Sequence, residues 1–152
     1  MVFRVSPRFM KKYITHNSEE TKQVAATLAK KFQGGEILGL VGDLGSGKTN
    51  FVQGLARYLG VANKVNSPTF VLMKPYPTHH KKCKLLVHID CYRLNNCQEL
   101  LNLGLEEYLK DKRCLTVIEW ADKIEKILPE KTIWIRFRLG KNIEEREIKI
   151  NN

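Results

Sequence analysis

Long apolar runs are absent from this sequence. None approaches the ~20 residues that span a bilayer. The longest are short, such as Leu85–Ile89 and Leu115–Ile118, and have the length of buried β-strands. The basic segment Met1–Thr15 lacks the roughly 7–15-residue apolar stretch of a signal peptide. We therefore expect neither a membrane segment nor export, and we predict a cytoplasmic protein.

Cysteine is also scarce, and its spacing matches no zinc ribbon or zinc finger. The four cysteines, none in a C-x-x-C pair, are Cys83, Cys91, Cys97 and Cys114. Without export the compartment is reducing, so we expect free thiols. His79, His80 and Cys83 are close enough to bind a metal, but Lys81 and Lys82 oppose a cation there. We do not predict a metal site in this segment.

Acidic residues are the minority among the charges. The chain has 26 Lys and Arg against 16 Asp and Glu, a formal charge of +10. This excess indicates either an acidic partner (nucleotide, nucleic acid or acidic protein surface) or a solvated lysine-rich surface. The length of 152 residues and 43% hydrophobic content predict one domain, 1–152, in which residues 1–9 form a loose basic tail.

Hydrophobic periodicity predicts strands that alternate with helices in the first half of the chain. Lys11–Thr15 is typical of a short edge strand, and Asn17 or Ser18 can cap the helix that follows. Glu36–Val41 has the length of a buried strand and leads through a glycine-rich turn into a second amphipathic helix, which ends at Gly60.

The second half of the pattern is richer in strands. We predict a strand at Phe70–Met73, followed by an exposed basic connection from Pro75 to Lys82. Leu100, Leu103 and Tyr108 indicate short helical pieces, and Ile133–Leu139 alternates like a half-buried strand. Consecutive strands after alternating ones predict an α/β fold with antiparallel edges.

One glycine-rich loop carries the strongest chemical signal. Gly42–Thr49, read as GDLGSGKT, matches the Walker A pattern G-x-x-x-x-G-K-[ST], with a strand before it and a helix after it. Glycines let backbone N–H groups converge on phosphate oxygens, and the helix N-terminus adds a favourable dipole. We expect an exposed Lys48 to neutralise the β- and γ-phosphates and Thr49 to ligate Mg²⁺.

Two carboxylates follow predicted buried strands. Asp90 comes after Leu85–Ile89, and Glu119 comes after Leu115–Ile118. An acid at the carboxyl end of a parallel strand points into the crevice where ligands bind. These acids can serve the metal and the attacking water, although each could simply end a strand in solvent. His88 shares a strand face with Asp90, and we interpret it as an interior histidine.

The absence of guanine-binding motifs indicates which nucleotide the loop binds. The sequence has no Asn-Lys-x-Asp guanine reader and no Asp-x-x-Gly switch after the loop, which favours ATP. No arginine near the motifs is an evident internal finger, because Arg57 and Arg113 are scattered. Two other functions stay open. One is a small-molecule or nucleoside kinase, although no lid segment is evident. The other is a nucleotide-gated binding module without significant turnover.

Four motifs together resemble the bacterial TsaE (YjeE) family. They are Gly42–Thr49, Ser67–Phe70 (SPTF), His88–Arg93 (HIDCYR) and Val117–Trp120 (VIEW), and the likeness runs from about Ser18 to Arg146. The resemblance implies a P-loop NTPase-like fold, a parallel sheet core flanked by antiparallel strands and helices. It also implies an ATPase that supports threonylcarbamoylation of adenosine 37 in ANN-decoding tRNAs. The family works with TsaD and TsaB, after TsaC has made threonylcarbamoyl-AMP. Its link to tRNA is indirect, and direct contact with tRNA is left open.

The resemblance also assigns residue roles. Glu119 looks like the family's metal-associated acid, Asp90 like its essential second carboxylate, and Trp120 like its required tryptophan. Ser67–Phe70 looks like its mobile switch-like loop. The resemblance places Ser18 and Thr21 near the adenine, and leaves Tyr92 and Arg93 between site support and partner contact. The nucleotide would also be bound by Gly42, Gly45, Ser46, Gly47, Lys48, Thr49, Asn50 and Trp120, and Mg²⁺ would be held by Thr49, Asp90 and Glu119.

Overall fold

The computed structural model describes residues 10–67 and 72–151. Its strands are β1 (Met10–Thr15), β2 (Ile37–Val41), β3 (Met73–Pro77), β4 (Leu85–Asp90), β5 (Cys114–Glu119), β6 (Ile133–Leu139) and β7 (Arg146–Asn151). Its helices are α1 (Ser18–Ala29), α2 (Lys48–Leu59), α3 (Gln98–Asn102), α4 (Leu105–Lys110) and a kinked 3₁₀ segment, Ala121–Ile127. The predicted tail 1–9 and the segment Pro68–Val71 lie outside the described residues.

The strands form one seven-stranded sheet in the order β1-β7-β6-β2-β5-β4-β3. The central pairs β6–β2, β2–β5 and β5–β4 are parallel, whereas β3, β7 and β1 add antiparallel strands at the flanks. The predicted fold class, a parallel core with antiparallel edges, is confirmed. The four central strands therefore end at the same edge of the sheet, which we call the carboxyl edge, and begin at the opposite amino edge.

The two main helices begin and end where their residue types dictate. Asn17 caps α1, because its Oδ1 accepts a hydrogen bond from Glu20 N at 2.8 Å. Helix α2 ends at Gly60, whose φ of 74° suits a residue without a Cβ. The two helices pack closely: a Cβ at Gly54 would lie 2.6 Å from the Lys22 Cα. This contact fixes α2, and with it the loop that precedes it.

Side-chain alternation divides the core into two layers. In β4 and β5, Leu86, Leu115 and Val117 join the layer beneath α1 and α2, whereas Val87 and Ile118 join the layer beneath α3, α4 and the 3₁₀ segment. By the two-residue period, the acids at the ends of these strands point toward the α2 side of the sheet. They are thereby aimed at the start of α2.

The prediction for the strand after α2 is wrong in part. A strand was expected at Phe70–Met73 with an exposed connection from Pro75 onward, but β3 spans Met73–Pro77 and pairs with β4. Because β3 is an edge strand with a neighbour on one side only, it tolerates Pro75 and Pro77, which have no backbone N–H to donate to a neighbouring strand. Phe70 and Val71 lie outside the described residues.

No helix within residues 10–67 and 72–151 combines the length and the apolar character that crossing a membrane requires.

Candidate functional site

The glycine loop lies at the carboxyl edge, between β2 and α2. Gly45 and Gly47 have φ values of 78° and 103°, a region that favours glycine. A Cβ at Gly42 would lie 2.7 Å from both the Phe137 carbonyl oxygen and Ser46 Oγ, so the loop packs closely on β6. The first helical residue of α2 is Lys48. This geometry is that of a phosphate loop, with its backbone turned toward the helix N-terminus.

Lys48 is buried, which corrects the expectation that it is exposed. Only 4% of the residue is accessible. Its Nζ donates to the carbonyl oxygens of Gly42 at 2.6 Å and Asp43 at 2.8 Å, and it lies 4.4 Å from the centroid of a Trp120 ring. Burial lowers the pKa of Lys48, while the charge of Glu119 opposes that shift. The ammonium folds inward because converging loop oxygens offer it better partners than a flat surface would.

Thr49 and Glu119 meet across the site although 70 residues separate them in the sequence. Thr49 Oγ1 lies 3.1 Å from one Glu119 carboxylate oxygen and 3.3 Å from the other. Ser67 Oγ lies 2.8 Å from Thr49 Oγ1 and 3.4 Å from Glu119 Oε2. The structure thus brings together the predicted metal-binding hydroxyl, the predicted acid and the first residue of the SPTF motif.

His88 holds the far side of Glu119. The imidazole is fully buried, and its Nε2 lies 2.6 Å from Glu119 Oε2. Its Nδ1 has no hydrogen-bond partner among the described residues. Sequence reasoning placed His88 on the same strand face as Asp90 but did not link it to Glu119. The signal was present in the two-residue spacing, but the neighbouring strand and its register were needed to use it.

Asp90 lies at the end of β4, directly opposite Glu119 in the parallel register. Its Oδ1 accepts a hydrogen bond from the Tyr92 backbone N–H at 2.9 Å. Burial raises the pKa of Asp90, and the charge of Glu119 raises it further. The carboxyl group is therefore a better proton acceptor than an ordinary aspartate.

A cavity of about 340 Å³ lies between the phosphate loop and the two acids. One wall is aromatic: the ring centroids of Tyr92 and Trp120 are 5.0 Å apart. Trp120 has a φ of 59°, the one positive φ among the described non-glycine residues. The same cavity is lined by Leu44, Gly45, Gly47, Lys48, Thr49, Asn50, Ser67, Leu72, Asp90, Tyr92, Arg93, Glu119 and Trp120.

Two arginines lie near the phosphate loop or the cavity, and the expectation that neither is an internal finger stays a prediction. Arg93 lines the cavity. Arg146, at the start of β7, donates to the carbonyl oxygens of Gly45 at 3.0 Å and of Ile143 at 2.7 Å. It ties the phosphate loop to the β6–β7 turn. No local motif marks Arg146, because only the pairing of β6 with β2 and of β7 with β6 brings it there.

Ser18 and Thr21 do not line the cavity. Ser18 is exposed, whereas Thr21 is buried and its Oγ1 lies 2.8 Å from Thr15 Oγ1. The turn before α1 contacts the connection between β6 and β7, since His16 Nε2 lies 3.8 Å from Glu145 Oε2. An adenine contact at this turn stays a prediction.

The oxygen atoms at the cavity suit a metal that arrives with its ligand. The described part of the chain holds no cluster of three or more His, Cys, Asp or Glu side chains arranged for a metal ion. Thr49, Glu119 and Asp90 offer oxygen ligands only, which Mg²⁺ prefers when phosphates complete its coordination. All four cysteines are free thiols, and burial raises the pKa of Cys91 to about 12, so it stays protonated.

Comparison with known proteins agrees with this geometry. A family profile described as "Threonylcarbamoyl adenosine biosynthesis protein TsaE" matches residues 15–148. The tRNA threonylcarbamoyladenosine biosynthesis protein TsaE of Bacillus subtilis (strain 168) is 40% identical over 137 residues, covering 90% of this chain and 82% of that protein. Its counterpart in Rickettsia bellii (strain RML369-C) is 39% identical over 127 residues, covering 83% and 85%.

A solved structure supports the same assignment. The crystal structure of Bacillus subtilis YdiB superposes with a TM-score of 0.74 at 34% identity, covering 93% of this chain and 84% of that one. The resemblance to the TsaE family that the four sequence motifs indicated is thereby confirmed. The chain belongs to the TsaE family of tRNA threonylcarbamoyladenosine biosynthesis proteins.

Proposed function

We propose that the chain binds MgATP in this cavity and hydrolyses it in the cytoplasm, acting with TsaD and TsaB in the threonylcarbamoylation of adenosine 37. The observation that carries the proposal is the contact between Thr49 and Glu119, 3.1 Å apart. It brings the last residue of the Walker A motif to a strand-end acid, the arrangement that P-loop NTPases use around the metal and the γ-phosphate.

The loop supplies the nucleotide's phosphate site. Backbone N–H groups from Gly45 to Thr49 would hold the phosphate oxygens, and Lys48 would turn from the Gly42 and Asp43 carbonyls to the β- and γ-phosphates. Mg²⁺ would be held by Thr49 with Glu119 or Asp90, and when bound it neutralises charge on the phosphates. Trp120 and the turn at Ser18–Thr21 would contact the rest of the nucleotide.

The acids divide the remaining work. His88 fixes the orientation of Glu119 through their 2.6 Å contact, so that this carboxylate faces Thr49. Asp90 lies beside it, and burial raises the pKa of its carboxyl group, which favours accepting a proton from the attacking water. In this proposal water is the phosphoryl acceptor, so the reaction would be hydrolysis.

Partner proteins would control the rate. Fast hydrolysis in P-loop proteins needs groups around the γ-phosphate beyond the loop and the metal. Ser67 touches Thr49 and begins the SPTF motif, so a TsaD–TsaB pair docked on this motif would act directly on the metal ligand. Hydrolysis would then reset or release the modification complex after each turnover.

The test is multi-turnover modification of a tRNA transcript with TsaC, TsaD and TsaB, with and without this chain. Lys48→Ala serves as the inactive variant, and phosphate release is measured in the same reactions. We expect only the reaction with the wild-type chain to sustain many turnovers of tRNA modification. We also expect the wild-type chain to hydrolyse ATP faster when TsaD and TsaB are present. Equal yields in all reactions would refute the proposal. Tight ATP binding without phosphate release would indicate a nucleotide-gated binding module instead.

A further inference from the structure

A second charged surface lies at the amino edge of the sheet, opposite the cavity. Its cations stand in the segments that precede β2, β4, β5 and β6, and all of them are exposed. We call it the amino-edge face, defined by Lys31, Lys82, Lys84, Lys112, Arg113 and Lys131. Because the four strands are parallel, these segments converge although they are distant in the sequence.

The turn at Gln33–Gly35 is the centre of this face. Lys82 Nζ donates to the Gln33 side chain at 3.1 Å, and Lys131 Nζ donates to the Gly35 carbonyl at 3.4 Å. A Cβ at Gly35 would lie 3.2 Å from the Lys112 Cα, so the three lysines surround one turn.

Three carboxylates, Glu36, Asp111 and the exposed Glu130, lie in the same segments as the six cations and compensate part of this charge. Asp111 is engaged by Arg113 at 3.0 Å, which holds the pKa of Asp111 near 2. The Glu36 carboxylate accepts hydrogen bonds from the backbone N–H groups of Gln33 and Gly34. Among the described residues, none of the five lysines of the amino-edge face forms an ion pair. Lys11 adds a further cation, because its side chain contacts Lys31 and lowers the pKa of Lys31.

The residue types indicate what this surface fits. Protein–protein interfaces are enriched in aromatic residues and depleted in lysine. The described segments that carry the amino-edge face contain none of the exposed large hydrophobic side chains. Clustered lysines without apolar neighbours suit a phosphate backbone, which is contacted through charge and without base reading.

We propose that the amino-edge face binds the phosphate backbone of RNA, at a surface separate from the nucleotide cavity. The site does not depend on ATP hydrolysis, because none of its side chains lines the cavity. Binding there would hold the chain on RNA while leaving the carboxyl edge open. RNA binding at this face can therefore be tested whatever the outcome of the hydrolysis assays.

The experiment compares two double charge reversals that lower the net charge equally. Lys82→Glu with Lys112→Glu alters the amino-edge face. Lys64→Glu with Lys126→Glu alters exposed lysines elsewhere and is the matched control. Binding of an unmodified tRNA transcript is followed by fluorescence anisotropy over a salt series, and circular dichroism checks the fold. A calorimetric titration with MgATP checks that the cavity is unaffected.

We expect the face variant to bind the transcript on the order of tenfold more weakly at low salt, with the slope of log K against log salt reduced by about two. The control should keep nearly the wild-type affinity and slope. Equal losses in both variants would overturn the proposal by showing that only bulk charge matters. Failure of the wild-type chain to bind at low salt would overturn it as well. Polyglutamate binding as tightly as the transcript would assign the surface to an acidic protein instead.

Discussion

Replacing Glu119 by Gln tests the centre of the proposed site. The amide has the same shape as the carboxylate but no charge, so it can still contact Thr49 and His88. What it loses is the negative charge beside the metal and the attacking water. We therefore expect MgATP to bind and hydrolysis to fail.

The magnitude follows from the contacts. General-base and charge effects of one positioned group contribute about 10²–10⁴-fold, which corresponds to roughly 3–5 kcal/mol at the transition state. The free energy of unfolding should change less, because the hydrogen bond to His88 persists and the volume is unchanged. Alanine is the poorer choice, since it would leave the buried His88 Nε2 unpaired at a cost of about 1–3 kcal/mol.

Paired assays separate the two effects. Calorimetry measures MgATP affinity, phosphate release with TsaD and TsaB measures turnover, and thermal melting measures stability. Glu144→Gln, at an exposed glutamate outside the cavity, is the matched control. Wild-type turnover in Glu119→Gln would refute the role of this acid and reduce it to a residue that ends a strand.

Three further variants probe the remaining contacts. Lys48→Ala should abolish nucleotide binding in calorimetry and, because its buried ammonium joins two loop carbonyls, lower the free energy of unfolding by about 1–3 kcal/mol. Asp90→Asn should raise the thermal midpoint at neutral pH. Burial raises the pKa of Asp90, so the folded state favours the protonated carboxyl group. The contribution of Asp90 to stability is therefore fully present below the ordinary pKa of aspartate and is lost as pH rises through the raised pKa. The advantage of the variant should therefore disappear in acid. Arg146→Ala should raise the KM for ATP more than it lowers kcat, since the guanidinium holds the loop, with exposed Arg138→Ala as control; an unchanged KM would contradict that role.

The sequence carried most of the central architecture, because buried parallel strands and amphipathic helices leave local patterns. The runs Leu85–Ile89 and Leu115–Ile118 match β4 and β5 closely, and the Walker A pattern matches the loop between β2 and α2. The acids followed from the same logic, since a strand's end is visible in the sequence. The bounds of β3 did not follow, because prolines, which break most strands, are tolerated at an edge.

Contacts set by the order of the strands were beyond local reasoning. Arg146 reaches Gly45 across 101 residues, and only the sheet order β7-β6-β2 brings them together. The burial of Lys48 likewise depends on Trp120, which arrives from the end of β5. The prediction that His88 is an interior residue is correct, but its partner, Glu119, could be named only once the register of β4 and β5 was known.

Charge is distributed along the parallel strands in a consistent direction. Lys84 precedes β4 and Asp90 ends it, and Arg113 precedes β5 and Glu119 ends it. Each of these strands has six residues, a rise of about 20 Å, whereas charges in physiological salt are screened over about 8 Å. The amino-edge cations therefore contribute little to the potential at the phosphate loop. If both proposals hold, a polyanion on that face would neither compete with ATP nor be repelled by the acids of the cavity, and the two edges could be occupied at the same time.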